Sequence, residues 1–156
     1  MKCTKLFSII LINIFFINNL FADVERTFSM IKPKAVKNTK AINKMIEQNG
    51  LKIVETKKII FNQVNFNKLY GIHKDKPFFK DLQKEILNKK IVVQIIEGDN
   101  AVAKYRILMG NTDPKKADLN TIRHKFGYDK TNNAVHGSDS KENAAKEICI
   151  FYNKYC

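Results

Sequence analysis

The chain has 156 residues, 44% of them apolar, enough for a single domain with a packed core. Twenty-eight basic and 15 acidic residues leave a formal charge of +13. That charge favours anionic partners, but the lysines are scattered along the chain, and no local patch marks a specific nucleic-acid surface. The three cysteines include no Cys-x-x-Cys pair, which excludes a zinc ribbon or thioredoxin-type site.

Residues 1–22 read as a secretory signal peptide. Lys2 and Lys5 give a basic start, Leu6 to Ile17 an apolar stretch broken by Ser8 and Asn13, and Leu20-Phe21-Ala22 a cleavage site. The stretch is shorter than the roughly 20 residues of a membrane span, so no stable anchor is expected. An uncleaved anchor and an untranslated segment upstream of the true start are the alternatives. The mature domain then runs over 23–156 and is secreted or periplasmic; without a working signal it is cytoplasmic.

Arg26 to Ile31 alternates as a strand and stops at Lys32-Pro33. Ala41, Ile42, Met45 and Ile46 mark one face of a helix that Asn38 or Thr39 opens and Gly50 closes. Leu51 to Phe61 is strand-like. Short helices over Phe66–Ile72 and Phe78–Leu87 flank the Lys76-Pro77 break. Ile91 to Ile96 is nearly all apolar, as in a central strand covered on both faces. Ala101 to Met109 is a helix stopped by Gly110, Asn111 to Asn120 a polar loop, and Thr121 to Phe126 a short helix. Ala134-Val135 forms the last strand.

The final helix carries Ala144, Ala145, Ile148, Cys149 and Tyr152 at helical spacing. Ser138, Asp139 and Ser140 are all suitable caps, and Glu142 stands three residues after Asp139, as in a capping box. Were that helix to run through Cys149 and Cys156, their α-carbons would lie about 10.5 Å apart, too far for a disulfide. Both are read as free thiols; a bridge would need the tail to leave the helix and fold back. The alternation of strands and helices gives an α/β layered domain.

His136 stands between the last strand and the last helix. A neutral imidazole there is a plausible nucleophile, while the plain alternative is a histidine filling a turn. No Gly-x-x-x-x-Gly-Lys-Ser/Thr loop is present to cradle phosphates.

Four blocks in order point further. Asn133-Ala134-Val135-His136-Gly137-Ser138-Asp139-Ser140 resembles the active-site signature of the nucleoside diphosphate kinases. Arg26 to Pro33 resembles that family's opening strand, and Lys74-Asp75-Lys76-Pro77-Phe78-Phe79 its nucleotide-base clamp. The fourth runs from Arg106 through Gly110-Asn111-Thr112-Asp113-Pro114 to Thr121-Ile122-Arg123. The resemblance covers about residues 25 to 152.

It implies a ferredoxin-like βαββαβ fold with a four-stranded antiparallel sheet covered by helices. It also implies ping-pong transfer of the γ-phosphate of a nucleoside triphosphate to a nucleoside diphosphate. His136 would become the phosphohistidine. Lys32, Arg106, Thr112, Arg123 and Asn133 would bind the nucleotide. Phe78 would stack on the base, with Leu82 behind it. Glu147 would orient the ring, Ser138 would hold Glu147, and Tyr70 would lie beside the histidine. Mg²⁺ would come with the phosphates of ATP and other nucleotides, not from a protein cage. A homo-oligomer, tetramer or hexamer, follows from the same likeness.

Two departures stand out: Lys34 replaces the family's usual Asp, and Leu119-Asn120 replaces its Pro-Gly. The competing class is a polyanion-binding module that keeps the fold without the chemistry; the charge motivates it.

Overall fold

The computed structural model describes residues 24–156. The proposed signal segment therefore lies outside the described residues. Four strands form one antiparallel sheet: β1 (Glu25–Ile31), β2 (Lys52–Ile60), β3 (Lys90–Gly98) and β4 (Val135–Gly137). Their order across the sheet is β2-β3-β1-β4. Each neighbouring pair is antiparallel, with Phe28 opposite Ile95 and Met30 opposite both Val93 and His136. Among the described residues, five α-helices lie between the strands, α1 (Thr39–Gln48), α2 (Gln63–Tyr70), α3 (Phe79–Ile86), α4 (Ala101–Met109) and α5 (Ile122–Phe126), and α6 (Lys141–Phe151) follows the last strand. The core order is the ferredoxin-like βαββαβ, as the resemblance implied.

Period-2 alternation sorts the strand side chains onto two faces. Phe28, Met30, Val93 and Ile95 face α2, α3 and α6, meeting Phe66, Leu82, Ile86, Ile148 and Phe151. Ile31, Val92 and Ile96 face α1, α4 and α5, meeting Ile42, Ile46, Tyr105, Leu108 and Ile122. β3 is buried from Ile91 through Ile96 because both faces are covered, in line with its unbroken apolar run. The Tyr152 hydroxyl donates to the Val93 carbonyl at 2.7 Å, so a large polar ring is buried without an unpaired oxygen.

The helices differ from the sequence reading at their ends. α2 begins at Gln63, where the Asn62 side chain accepts the Asn65 amide. A 3₁₀ turn over Pro33–Asn38 precedes α1, and the Asn38 side chain makes no capping bond. The loop from Asn111 holds a 3₁₀ turn at Pro114–Lys116, capped by Asp113. α6 is capped by Ser140, whose hydroxyl accepts the Asn143 amide at 3.1 Å. The Asp139–Glu142 capping box therefore does not form: Asp139 stands one residue too early and takes the Asn143 side-chain amide instead. Ala145 is exposed, so the buried face of α6 is Ala144, Ile148 and Phe151. α6 stops at Phe151 and the tail does leave the helix, through a 3₁₀ turn at Asn153–Tyr155.

Candidate active site

β4 is only three residues long, yet it decides where His136 points. Val135 enters the α1–α4 core. His136, one residue on, takes the opposite face and lies beside Phe28 and Tyr70, with ring centroids at 6.0 and 5.8 Å. Gly137 is required by close packing: a Cβ there would sit 2.7 Å from the Tyr105 ring and 2.8 Å from Met109. Ala134, just before the strand, has φ +68°, a left-handed conformation costly for alanine. Its carbonyl accepts the Lys32 amide at 2.8 Å, which ties the end of β1 to the histidine segment.

The imidazole is oriented from behind. Nε2 lies 3.1 Å from both carboxylate oxygens of Glu147. A carboxylate offers no proton of its own when ionised, so Nε2 carries the hydrogen and Nδ1 keeps its lone pair. Ser138 Oγ donates to Glu147 at 2.6 Å and accepts the Phe28 amide at 3.3 Å. Backbone of β1, serine, carboxylate and imidazole thus form one chain of hydrogen bonds. Glu147 reaches the ring from α6, two turns after the Ser140 cap, and Tyr70 reaches it from the C-terminal end of α2.

The free side of the ring opens on a cleft of about 340 Å³. Lys32, Tyr70, Phe78, Leu82, Thr112, Arg123 and Asn133 line it with His136. Lys32 is buried; its ammonium donates to Asn133 Oδ1 at 2.7 Å and to the Thr131 carbonyl at 3.0 Å. Burial, then the positive charge of Arg123, lowers the pKa of this lysine to about 7. Arg123 donates to the carbonyls of Gly110 at 2.8 Å and Val135 at 3.3 Å. Its Nε is buried without a partner among the described residues. Gly110 takes φ +81° to make that turn. Asn133 also donates to the Thr112 carbonyl at 3.2 Å, holding the far wall.

Phe78 is 46% exposed while Leu82, one turn on, is buried, so the mouth presents a free aromatic face over an apolar floor. Arg106 is placed differently. It lines an adjoining cleft of about 370 Å³ with Arg123, His136 and Glu147. Arg123 and His136 line both clefts, with Lys32 added in the first and Arg106 in the second.

Four lining residues are not among the expected site residues: His73, Lys130, Thr131 and Val135, of which the first two are titratable. His73 sits at the mouth, its ring 5.8 Å from Phe78, and Lys130 lies on the opposite wall, 4.0 Å from Asp113. His73 directly precedes the Lys74–Phe79 block, which was its only signal; Lys130 looks like any surface lysine. Lys34, the departure after Pro33, stays outside the cleft and pairs with Glu85 of α3 at 3.5 Å. Leu119 of the other departure is 73% exposed.

The described residues hold no cluster of His, Cys, Asp and Glu able to bind a metal ion. What the cleft offers is cations, donors and an aromatic face, the complement of a polyphosphate ester with a planar base.

Comparison with known proteins agrees. The family model for nucleoside diphosphate kinase matches residues 25–155. The nucleoside diphosphate kinase of Granulibacter bethesdensis is 50% identical over 131 residues, 83% of this chain and 94% of that protein. That of Wolbachia pipientis wMel is 51% identical over the same shares. Among solved structures, the Encephalitozoon cuniculi enzyme superposes with a TM-score of 0.78 at 34% identity, over 82% of this chain and 88% of that one. The halophilic enzyme of Halobacterium salinarum, solved in complex with CDP, gives 0.78 at 35%, over 83% and 88%. The chain belongs to the nucleoside diphosphate kinase family.

Proposed function

We propose that this enzyme moves the γ-phosphoryl group of a nucleoside triphosphate to a nucleoside diphosphate, with His136 Nδ1 as the carrier. The observation that supports this most is the Nε2–Glu147 contact, which leaves Nδ1 as the nucleophile facing a cationic cleft. In the first half, the Nδ1 lone pair attacks the γ-phosphorus and the bond to the β–γ bridging oxygen breaks, releasing the diphosphate. In the second, a terminal oxygen of the incoming diphosphate attacks the same phosphorus and the P–N bond breaks. The ring turns cationic as Nδ1 bonds to phosphorus, and Glu147 opposes that charge.

Lys32 and Arg123 bind the phosphate oxygens in flight, and Arg106 approaches from the adjoining cleft. The unpaired Arg123 Nε supplies a donor not spent on the fold. Asn133 and Thr112 bind sugar and phosphate, and Phe78 stacks on the base above Leu82. Tyr70 closes the side of the ring; burial raises its phenol pKa well above the ordinary value, so it stays a neutral donor. Mg²⁺ entering on the nucleotide would need no carboxylate from this chain, and Lys32, Arg123 and Arg106 would share the phosphates with it. When bound, it would neutralise phosphate charge.

The reading extends to the rest of the chain. Residues 23–156 form the kinase domain behind a signal segment at 1–22 that directs it to the periplasm or outside; cytoplasmic residence is the alternative. Among the described residues no helix is long and apolar enough to cross a membrane. Assembly into a homo-oligomer, tetramer or hexamer, belongs to the same proposal; β2 and β4 are the outer strands of the sheet.

Steady-state assays with varied triphosphate and diphosphate test the scheme. Parallel double-reciprocal lines are the expected result, and His136→Ala abolishes transfer while keeping the wild-type circular dichroism. Intersecting lines, or activity that survives in the variant, would overturn it.

A further inference from the structure

The two described cysteines satisfy the condition that the sequence set for a bridge. α6 ends at Phe151, and Tyr152 leaves the helix with φ −137° and ψ 75°. The following turn is closed by Tyr155 and Cys156 amides donating to the carbonyls of Tyr152 and Asn153, at 2.9 and 3.2 Å. It brings Cys156 Sγ to 3.7 Å from the Cys149 carbonyl. A continuous helix would have held these residues about 10.5 Å apart.

The turn is docked rather than loose. Tyr155 donates to Glu55 of β2 at 3.0 Å, Lys154 pairs with the same carboxylate, and the Arg26 guanidinium lies 5.2 Å over the Tyr155 ring. Fixed beside each other in this way, two thiols react as if at high local concentration.

We propose that Cys149 and Cys156 are an oxidation site: a thiol pair that closes to an intramolecular disulfide by exchange with a low-molecular-weight disulfide. Cys156 is the more exposed of the two. The Cys149 thiol is held above its ordinary pKa, first by its hydrogen bond with Cys156, then by burial and by the charge of the Cys156 thiolate. Cys156, the more accessible thiol, therefore attacks first. Its thiolate bonds to one sulfur of the small disulfide and expels the other as a thiolate. Cys149 then loses its proton, attacks the Cys156 sulfur and expels the second small thiolate. Two protein thiols are oxidised, one external disulfide is reduced to two thiols, and the protons end on the leaving groups.

The bridge clasps the tail onto the helix that carries Glu147. Cys149 lies two residues beyond Glu147, about 200° around α6. Closure is thus remote from the imidazole, and its effect is on the anchoring of the C-terminal turn.

The test uses the full chain incubated with oxidised glutathione, quenched in acid, alkylated, and read by intact mass and non-reducing peptide mapping. The expected product is a monomer that has lost two hydrogens, with the Cys149 and Cys156 peptides linked, a raised Tm and an unchanged kcat. Cys156→Ser stops at a glutathione adduct on Cys149 and shows no rise in Tm; Cys149→Ser stops at an adduct on Cys156. Separate adducts on both cysteines of the wild type, a link to Cys3, a link between two chains, or no reaction would overturn the proposal. A fall in kcat that parallels oxidation would contradict the placement of the bridge away from the ring.

Discussion

Replacing Glu147 with Gln separates orientation from charge at the reacting ring. The substitution keeps an oxygen for the Nε2 hydrogen and a group for Ser138, but removes the negative charge. Both groups are part-buried, the imidazole side chain 23% exposed and the carboxylate 16%, so their interaction is only partly screened by water. A hydrogen bond to a charged group contributes about 1.5–3 kcal/mol. The ring is cationic only once Nδ1 engages phosphorus, so that amount is lost from the transition state and not from nucleotide binding. At about 1.4 kcal/mol per tenfold, kcat should fall roughly 10- to 150-fold with little change in KM. Rapid-quench measurement of the first phosphorylation step isolates the effect from product release. Equal rates for Glu147→Gln and wild type, in folded protein, would refute the assignment. A loss seen only in KM would do the same.

Other perturbations probe other parts of the site. Ser138→Ala deprives Glu147 of its 2.6 Å donor and the Phe28 amide of its acceptor. It should lower stability by about 1 kcal/mol and slow phosphorylation several-fold; denaturant melts and rapid quench read each. Gly137→Ala forces a methyl against the Tyr105 ring, costing about 1–3 kcal/mol in thermal or denaturant unfolding. Phe78→Ala should weaken purine and pyrimidine nucleotides alike, by about 1–3 kcal/mol, because stacking uses only the face of the base; selective loss of one base would contradict it.

Lys32 supplies a pH signature. Its pKa of about 7 in the cleft lies below the unfolded value of 10.5. Between these values the unfolded chain binds more protons, so this lysine's destabilising burial is relieved as pH rises through that window. Phosphates favour the ammonium form, so nucleotide binding above pH 7 takes up a proton and weakens with rising pH. Calorimetry at pH 8 in buffers of different ionisation enthalpy should show that uptake, and Lys32→Met should remove it.

The parts legible in the sequence were those governed by local periodicity or by contiguous blocks. The apolar run from Ile91 to Ile96 identified the doubly covered strand, because burial on both faces leaves no polar positions. The octet around His136 reads as a unit, because strand, turn and cap follow one another along the chain. Contacts between distant segments were hidden. Nothing near Cys156 announces that Glu55, about a hundred residues earlier, anchors the tail through Tyr155. His73 and Lys130 reach the cleft only because the 3₁₀ turn Gly71–His73 after α2 and the loop before β4 meet there. The Ser140 cap was one of three equivalent candidates until the start of α6 was placed.

The central claim is that Nδ1 of His136 carries the phosphoryl group while Glu147 keeps Nε2. The native protein should be incubated with ATP and Mg²⁺, freed of nucleotide, and examined by intact mass and by phosphorus NMR with peptide mapping. The account predicts one acid-labile phosphoryl group, on His136, bonded at Nδ1. A folded protein that stays unmodified, or a phosphoryl group on Nε2 or on another residue, would contradict it.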